Sequence, residues 1–413
     1  MTRRLLSLVL LLLAFVVPVA RAQPSTPAPA VTADQLAPLP VREWWLQDET
    51  TDAAGIVREG SDAAALWPFT VGAGVTVAVV DTGIDPGQPD LAAHLWQNPA
   101  PLPGGIDVNG VSFLPKLISP ALVANVLVNH SLAWQKSHRS YLNSLSASNR
   151  RYNNAKTELL THPAANGDFA DRDGHGTHVA GIIGASRDDA AGYAGIAPGA
   201  ALLAVQALGV TLPASSETLA AGIRYAVDHG ARIINLSWGS FVDSDSIRSA
   251  VAYAVASDVL VVAASGNWQK DLDTTPVYPA SYPGVLTVAA SCEGTTLAYF
   301  SDYGVRVDLA APGCVITSTV PTGQSTFVSG SRPNPLADRM TGSSMAAPMV
   351  SGVAALLFSL YPQASAAQVA AALCAGVRPE SALVGLTRCG GTLDAVAAAR
   401  ALATALGQPL PRS

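Results

Sequence analysis

Residues Val75 to Val80 form a nearly unbroken apolar run, Val-Thr-Val-Ala-Val-Val. A strand with one solvated face alternates apolar and polar residues, whereas a parallel strand covered on both faces is apolar throughout. Leu202 to Leu208, Ala231 to Leu236, Val259 to Ala263 and Val285 to Ala289 repeat the pattern, with helical stretches such as Thr218 to Asp228 and Ser246 to Ala256 between them. Strands alternating with helices predict an α/β fold: a doubly wound, mostly parallel central sheet with helices on both faces. The chain has 413 residues, 49% of them hydrophobic and 13% charged, enough apolar material for one large core.

The formal net charge of −6 argues against a nucleic-acid or anionic-membrane partner. Residues 1–22 read as an export signal: Arg3 and Arg4, an apolar stretch from Leu5 to Val17, and the small-x-small site Ala20-Arg21-Ala22. The reading is a secreted protein, monomeric and with no stable membrane anchor once the signal is removed. Residues 23–42, rich in Pro and Ala, read as a linker or short pro-segment. The folded domain is expected over 43–413, with Trp44 and Trp45 packing at its edge. Export places the four cysteines in an oxidising compartment. The favoured pairs are Cys292–Cys314 and Cys374–Cys389, each close in sequence and closing a loop between expected elements. The stretch 117–162, with His130, His138, His162 and Arg150-Arg151, reads as a surface-loop insertion whose histidines have no common metal spacing.

Three blocks carry the chemistry: Val77-Ala78-Val79-Val80-Asp81-Thr82-Gly83-Ile84-Asp85, Asp173-Gly174-His175-Gly176-Thr177-His178-Val179-Ala180-Gly181, and Gly342-Ser343-Ser344-Met345-Ala346-Ala347-Pro348. They supply an acid, a base and a nucleophile in the order found in subtilisin, unlike that of chymotrypsin or the α/β-hydrolases. On these blocks the chain resembles the subtilisin-like serine peptidases (subtilases, peptidase family S8). The resemblance implies a serine endopeptidase acting on proteins or peptides through an acyl-enzyme, with no cofactor needed for the chemistry.

Residue by residue, the resemblance makes Asp81 the group that orients His175, His175 the general base and Ser344 the nucleophile. His178 follows His175 without the spacing or the intervening Glu of zinc-binding helices and is expected to be structural. Ser344 is expected to open a long apolar helix to Leu360, with Pro348 in its first turn, so that N-terminal N–H groups face a developing oxyanion. Ser343 stands where the family more often has Thr. Asn267, in Ala264-Ser265-Gly266-Asn267, matches the family's side-chain oxyanion donor.

The resemblance also places substrate contacts. Ser237-Trp238-Gly239 would pair with the substrate backbone, with Trp238 where Leu is more usual. Gly266 would line the cleft, Val277 the base of the S1 pocket, and Asp173 the border of S2. A branched residue at the base of S1 predicts apolar P1 residues of moderate size. Asp90 and Asp189 match positions of oxygen ligands for a structural calcium. The segment 23–42 is too short for the family's usual pro-domain.

Overall fold

The computed structural model describes residues 49–51, 57–101, 107–114, 165–186, 194–209, 214–292, 296–323 and 336–410. The signal, the linker, Trp44 and Trp45, the insertion 117–162 and Asp189 lie outside the described residues. The strands are β1 (Glu49–Thr51), β2 (Val57–Glu59), β3 (Thr76–Asp81), β4 (Gly110–Ser112), β5 (Ala201–Gln206), β6 (Ile233–Leu236), β7 (Leu260–Ala264), β8 (Val285–Cys292), β9 (Thr296–Leu297), β10 (Leu309–Pro312), β11 (Ile316–Thr319), β12 (Ala337–Met340), β13 (Arg378–Pro379) and β14 (Gly391–Thr392). The helices are α1 (Pro89–Ala92), α2 (His175–Gly184), α3 (Ser216–Asp228), α4 (Asp245–Ala256), α5 (Ser343–Leu360), α6 (Ala366–Ala375) and α7 (Ala395–Leu406).

The central sheet runs β13-β14-β10-β8-β7-β6-β3-β5-β4 among the described residues, with β9 added antiparallel beside β8. From β4 to β14 every pairing is parallel, and only β13 closes its end antiparallel. The chain lays β4 and β5 on one side of β3 and β6, β7, β8 and β10 on the other. This is the doubly wound arrangement expected from the sequence.

The apolar runs are explained by two cores. Side chains alternate across a strand, so Val77, Val79, Leu202, Ala204, Ile233 and Val262 face one layer, which contains Val179, Ile182 and Ile183 of α2 and the buried length of α5. Ala78, Val80, Leu203, Val205, Ile234 and Val261 face the other, against Leu219 and Ile223 of α3 and Ile247 and Val251 of α4. The strands and helices predicted among the described residues all appear, with boundaries moved by one to three residues. Helix α5 is apolar because it is a core helix, buried from Met345 to Phe358.

Helix ends are held by side chains. Ser215 and Ser365 each form a capping box at the starts of α3 and α6, and Asp394 caps α7. The structure contains the disulfides Cys292–Cys314 and Cys374–Cys389, with Cα separations of 5.1 and 5.5 Å. The first links the end of β8 to the turn after β10, and the second ties α6 to the loop before β14.

Candidate active site

In an open α/β sheet, ligands gather beyond the carboxyl ends of the strands, where the order reverses. Asp81 ends β3, Ser237 follows β6 and Asn267 follows β7. These strands are neighbours in the sheet, so the three residues share one edge.

Asp81 is fully buried, and its Oδ1 accepts from the Thr82 N–H at 2.7 Å and from His175 Nδ1 at 2.8 Å. A carboxylate on Nδ1 fixes the proton there and leaves Nε2 as the basic nitrogen. Two glycines permit this approach. Gly83 has φ +105°, and a Cβ on it would strike the Phe169 carbonyl; a Cβ on Gly176 would strike the Gly83 carbonyl.

Asp171 ties these turns together. Its Oδ1 accepts from the Thr82 hydroxyl and from the N–H groups of Asp173 and Gly174, and its Oδ2 from the N–H and hydroxyl of Thr177, all between 2.7 and 3.0 Å. Thr82 Oγ1 in turn accepts from the Gly176 N–H at 2.8 Å. Burial pushes the Asp171 carboxyl above its ordinary range, against the pull of these donors.

Burial also acts on His175, in the lowering direction, but the charge and hydrogen bond of Asp81, joined by the charges of Asp171 and Asp173, outweigh it and hold the imidazole above 6.5. His178 is the opposite case. Burial and then the neighbouring His175 bring it down to about 3, so it is neutral. Its Nε2 donates to the carbonyls of Ile316 and Asp338 at 3.0 and 3.2 Å, fastening α2 to the β11–β12 ribbon.

Ser344 sits in the first turn of α5. Its hydroxyl donates to the Ser237 carbonyl at 3.0 Å, and the Ser237 hydroxyl donates to the Ser344 carbonyl at 2.8 Å. The Ser344 N–H, one of the orphan donors of a helix start, makes no hydrogen bond among the described residues. Asn267 Oδ1 accepts from the N–H of Ser343 at 2.9 Å and from its hydroxyl at 3.0 Å. With the carbonyl end of the amide engaged, Nδ2 is the end left to donate. Two uncommitted N–H donors beside a hydroxyl can stabilise a tetrahedral oxyanion.

Trp238 sends its indole N–H back to the Val80 carbonyl at 2.9 Å, so its side chain braces β3 while its backbone groups make no hydrogen bond among the described residues. Beyond Gly239 the chain pairs with Tyr278 through two 2.8 Å bonds at Ser240. Val277 is fully buried, and its Cγ1 lies 2.8 Å from where a Cβ on Gly239 would stand. Asp173 is only 5% exposed, in the turn that begins α2.

Sequence reasoning did not single out Trp268, which lies beside Gly239 and Gly266, or Phe241, whose ring meets it at a tilt of 54° with centroids 4.8 Å apart; the two are 43% and 47% exposed. The available signal was an aromatic directly after the Gly-Asn turn. Asp171 and Asp302 also passed unnoticed, because acids that bind backbone N–H groups leave no spacing signature.

Asp90 is buried at the start of α1, with its N–H on Gln88 Oε1 and its carbonyl accepting from Ser186. Among the described residues no three His, Cys, Asp or Glu side chains are grouped to hold a metal. Asp189, the other expected calcium ligand, lies outside the described residues.

A profile described as the subtilase family matches residues 72–385. Thermitase from Thermoactinomyces vulgaris is 33% identical over 303 residues, covering 73% of this chain and 81% of its own. Subtilisin Savinase from Lederbergia lenta is 39% identical over 224 residues, covering 52% and 77%. Among solved structures, a protease from Pseudoalteromonas arctica superposes with a TM-score of 0.62 at 25% identity, covering 83% of this chain and 94% of its own.

Proposed function

The chain belongs to the subtilase family and is a serine endopeptidase, and from that premise we propose that it is an exported enzyme that cleaves peptide bonds through Asp81, His175 and Ser344 with Asn267 as oxyanion donor. Subtilases need no cofactor for catalysis. The observation that carries this reading is the 2.8 Å bond between His175 Nδ1 and the wholly buried Asp81.

His175 Nε2 takes the proton from the Ser344 hydroxyl as Oγ attacks the scissile carbonyl. The hydroxyl, bonded to the Ser237 carbonyl before substrate arrives, exchanges that acceptor for the base. The oxygen that becomes negative is met by Asn267 Nδ2 and the Ser344 N–H, held in place before the reaction. The imidazolium, stabilised by Asp81, then gives its proton to the leaving amine. Water repeats the sequence on the acyl-enzyme, with His175 again as base. The free backbone groups of Trp238 and Gly239 take the substrate as an added strand. Val277 closes the base of S1, with Trp268 and Phe241 at its rim. Asp173 borders S2.

Hydrolysis of a chromogenic peptide and of casein by the wild type and by Ser344→Ala tests this. Loss of the triad serine in a subtilisin costs about 10⁶ in kcat, so the variant is expected to be inert in both assays. Equal rates would overturn the reading.

A further inference from the structure

We propose that Asp302 is a positioning residue for the oxyanion donor, fixing the backbone on both sides of Asn267 so that its amide is aimed before substrate arrives. This deepens the reading above and rests on it.

Asp302 lies outside the blocks that carry the triad and is fully buried. Its Oδ1 accepts from the Trp268 N–H at 2.9 Å and the Lys270 N–H at 2.8 Å, the first and third residues after Asn267. Its own N–H donates to the Gly266 carbonyl at 3.0 Å, on the other side of Asn267. The loop therefore hangs on Asp302 at three points that bracket the donor. Further bonds continue the attachment: Gln269 N–H to the Phe300 carbonyl at 3.0 Å and Tyr303 N–H to the Lys270 carbonyl at 2.9 Å.

The fit leaves no slack. Gly266 has φ +118°, and a Cβ there would collide with Asp302 Oδ2 and crowd the Trp268 ring. Gln269 adopts φ +54°, a left-handed conformation that costs a non-glycine residue about 1–3 kcal/mol unless its surroundings impose it. The two carboxylate bonds at Trp268 and Lys270 flank that residue and supply the constraint.

Asp302 Oδ2 is buried with no hydrogen-bond partner among the described residues. An acid is thus not required for the hydrogen bonds, since one oxygen accepts both. Its negative charge opposes a developing oxyanion rather than helping it. The contribution lies in the acceptor at Oδ1, which an asparagine reproduces and an alanine removes. A misplacement of about 1 Å in a reacting group can cost about 10² in rate. The loss from misaiming Asn267 falls on the transition state, where alone its amide meets a charged oxygen.

The test compares Asp302→Ala and Asp302→Asn with the wild type on a peptide nitroanilide, well below the lowest thermal midpoint of the three. Asp302→Ala should lose about 10- to 100-fold in kcat with KM changed less than about twofold, and lose affinity for a peptide boronate by a similar factor. Asp302→Asn should keep kcat within about threefold of the wild type. If the alanine variant does not fold, Asp302→Ser, too short to span both N–H groups, takes its place with the same expectation. A kcat unchanged in the short variant, or lost equally in Asp302→Asn, overturns the proposal. A wild type that neither turns over peptide nor binds the boronate overturns the enzymatic reading instead.

Discussion

The Ser343 hydroxyl donates to Asn267 Oδ1 at 3.0 Å while accepting from the Gly266 N–H at 3.1 Å. The residue before the proposed nucleophile thereby orients the amide assigned to meet the oxyanion. Asn267→Ala should lower kcat by about 10²–10³, the cost of losing such a donor in subtilisin, with little change in KM. Ser343→Ala should keep the amide but loosen its aim, with a smaller fall in kcat. Ser343→Thr retains the hydroxyl and should stay near the wild type. Steady-state kinetics on one peptide separates the three.

The pH profile follows from His175. Only the neutral imidazole can accept the serine proton, and the carboxylates of Asp81, Asp171 and Asp173 stabilise the charged form, holding its pKa above 6.5 against burial. The expected kcat/KM is low in acid and rises with pH through a midpoint above 6.5. Asp173→Asn removes one of those charges, so the midpoint should move to lower pH. An unchanged midpoint would mean that Asp173 does not act on the base.

Val277 packs under Gly239, and on the proposed reading it sets the depth of S1. The wild type should favour Leu, Met or Ala at P1 over Trp, Lys or Arg. Val277→Ala should raise kcat/KM for a Phe substrate relative to an Ala substrate by about tenfold, in line with about 1–3 kcal/mol per methylene-sized change in an apolar pocket. A peptide library profiled with both enzymes reads this directly.

The fold was legible because parallel strands buried on both faces are apolar nearly throughout, and β3, β5, β6, β7 and β8 are, with few polar interruptions such as Asn235 and Thr287. Boundaries slipped by one to three residues because the polar residue ending a strand, such as Asp81 or Gln206, is set by the site and the sheet rather than by apolarity. Helices α6 and α7 were not anticipated: α6 is so rich in alanine that its faces differ little, whereas α7 has a clear apolar face that the reading passed over. In the site, residues with a motif around them were readable. Asp171, Asp302, Trp268 and Phe241 were not, nor was the bond from Ser343 to Asn267, since these depend on partners far away in sequence.

The disulfide Cys374–Cys389 closes a loop with a sequence separation of 15. A loop of that size is worth about 3 kcal/mol in chain entropy. Replacing both cysteines with serine should lower the thermal midpoint by several degrees, at roughly 2–4 °C per kcal/mol or less for a domain of this size. The bond joins α6 to the loop before β14, neither of which carries Asp81, His175 or Ser344, so kcat at 25 °C should not change. Calorimetry and a single-temperature assay check both parts.

The most direct test is to treat the purified protein with a fluorophosphonate and locate the adduct by intact mass and peptide mapping. A single adduct on Ser344, absent from Ser344→Ala and strongly slowed in His175→Ala, is the expected result. No adduct on the folded wild type, or one that persists in Ser344→Ala, would contradict the assignment of the nucleophile and the account built on it.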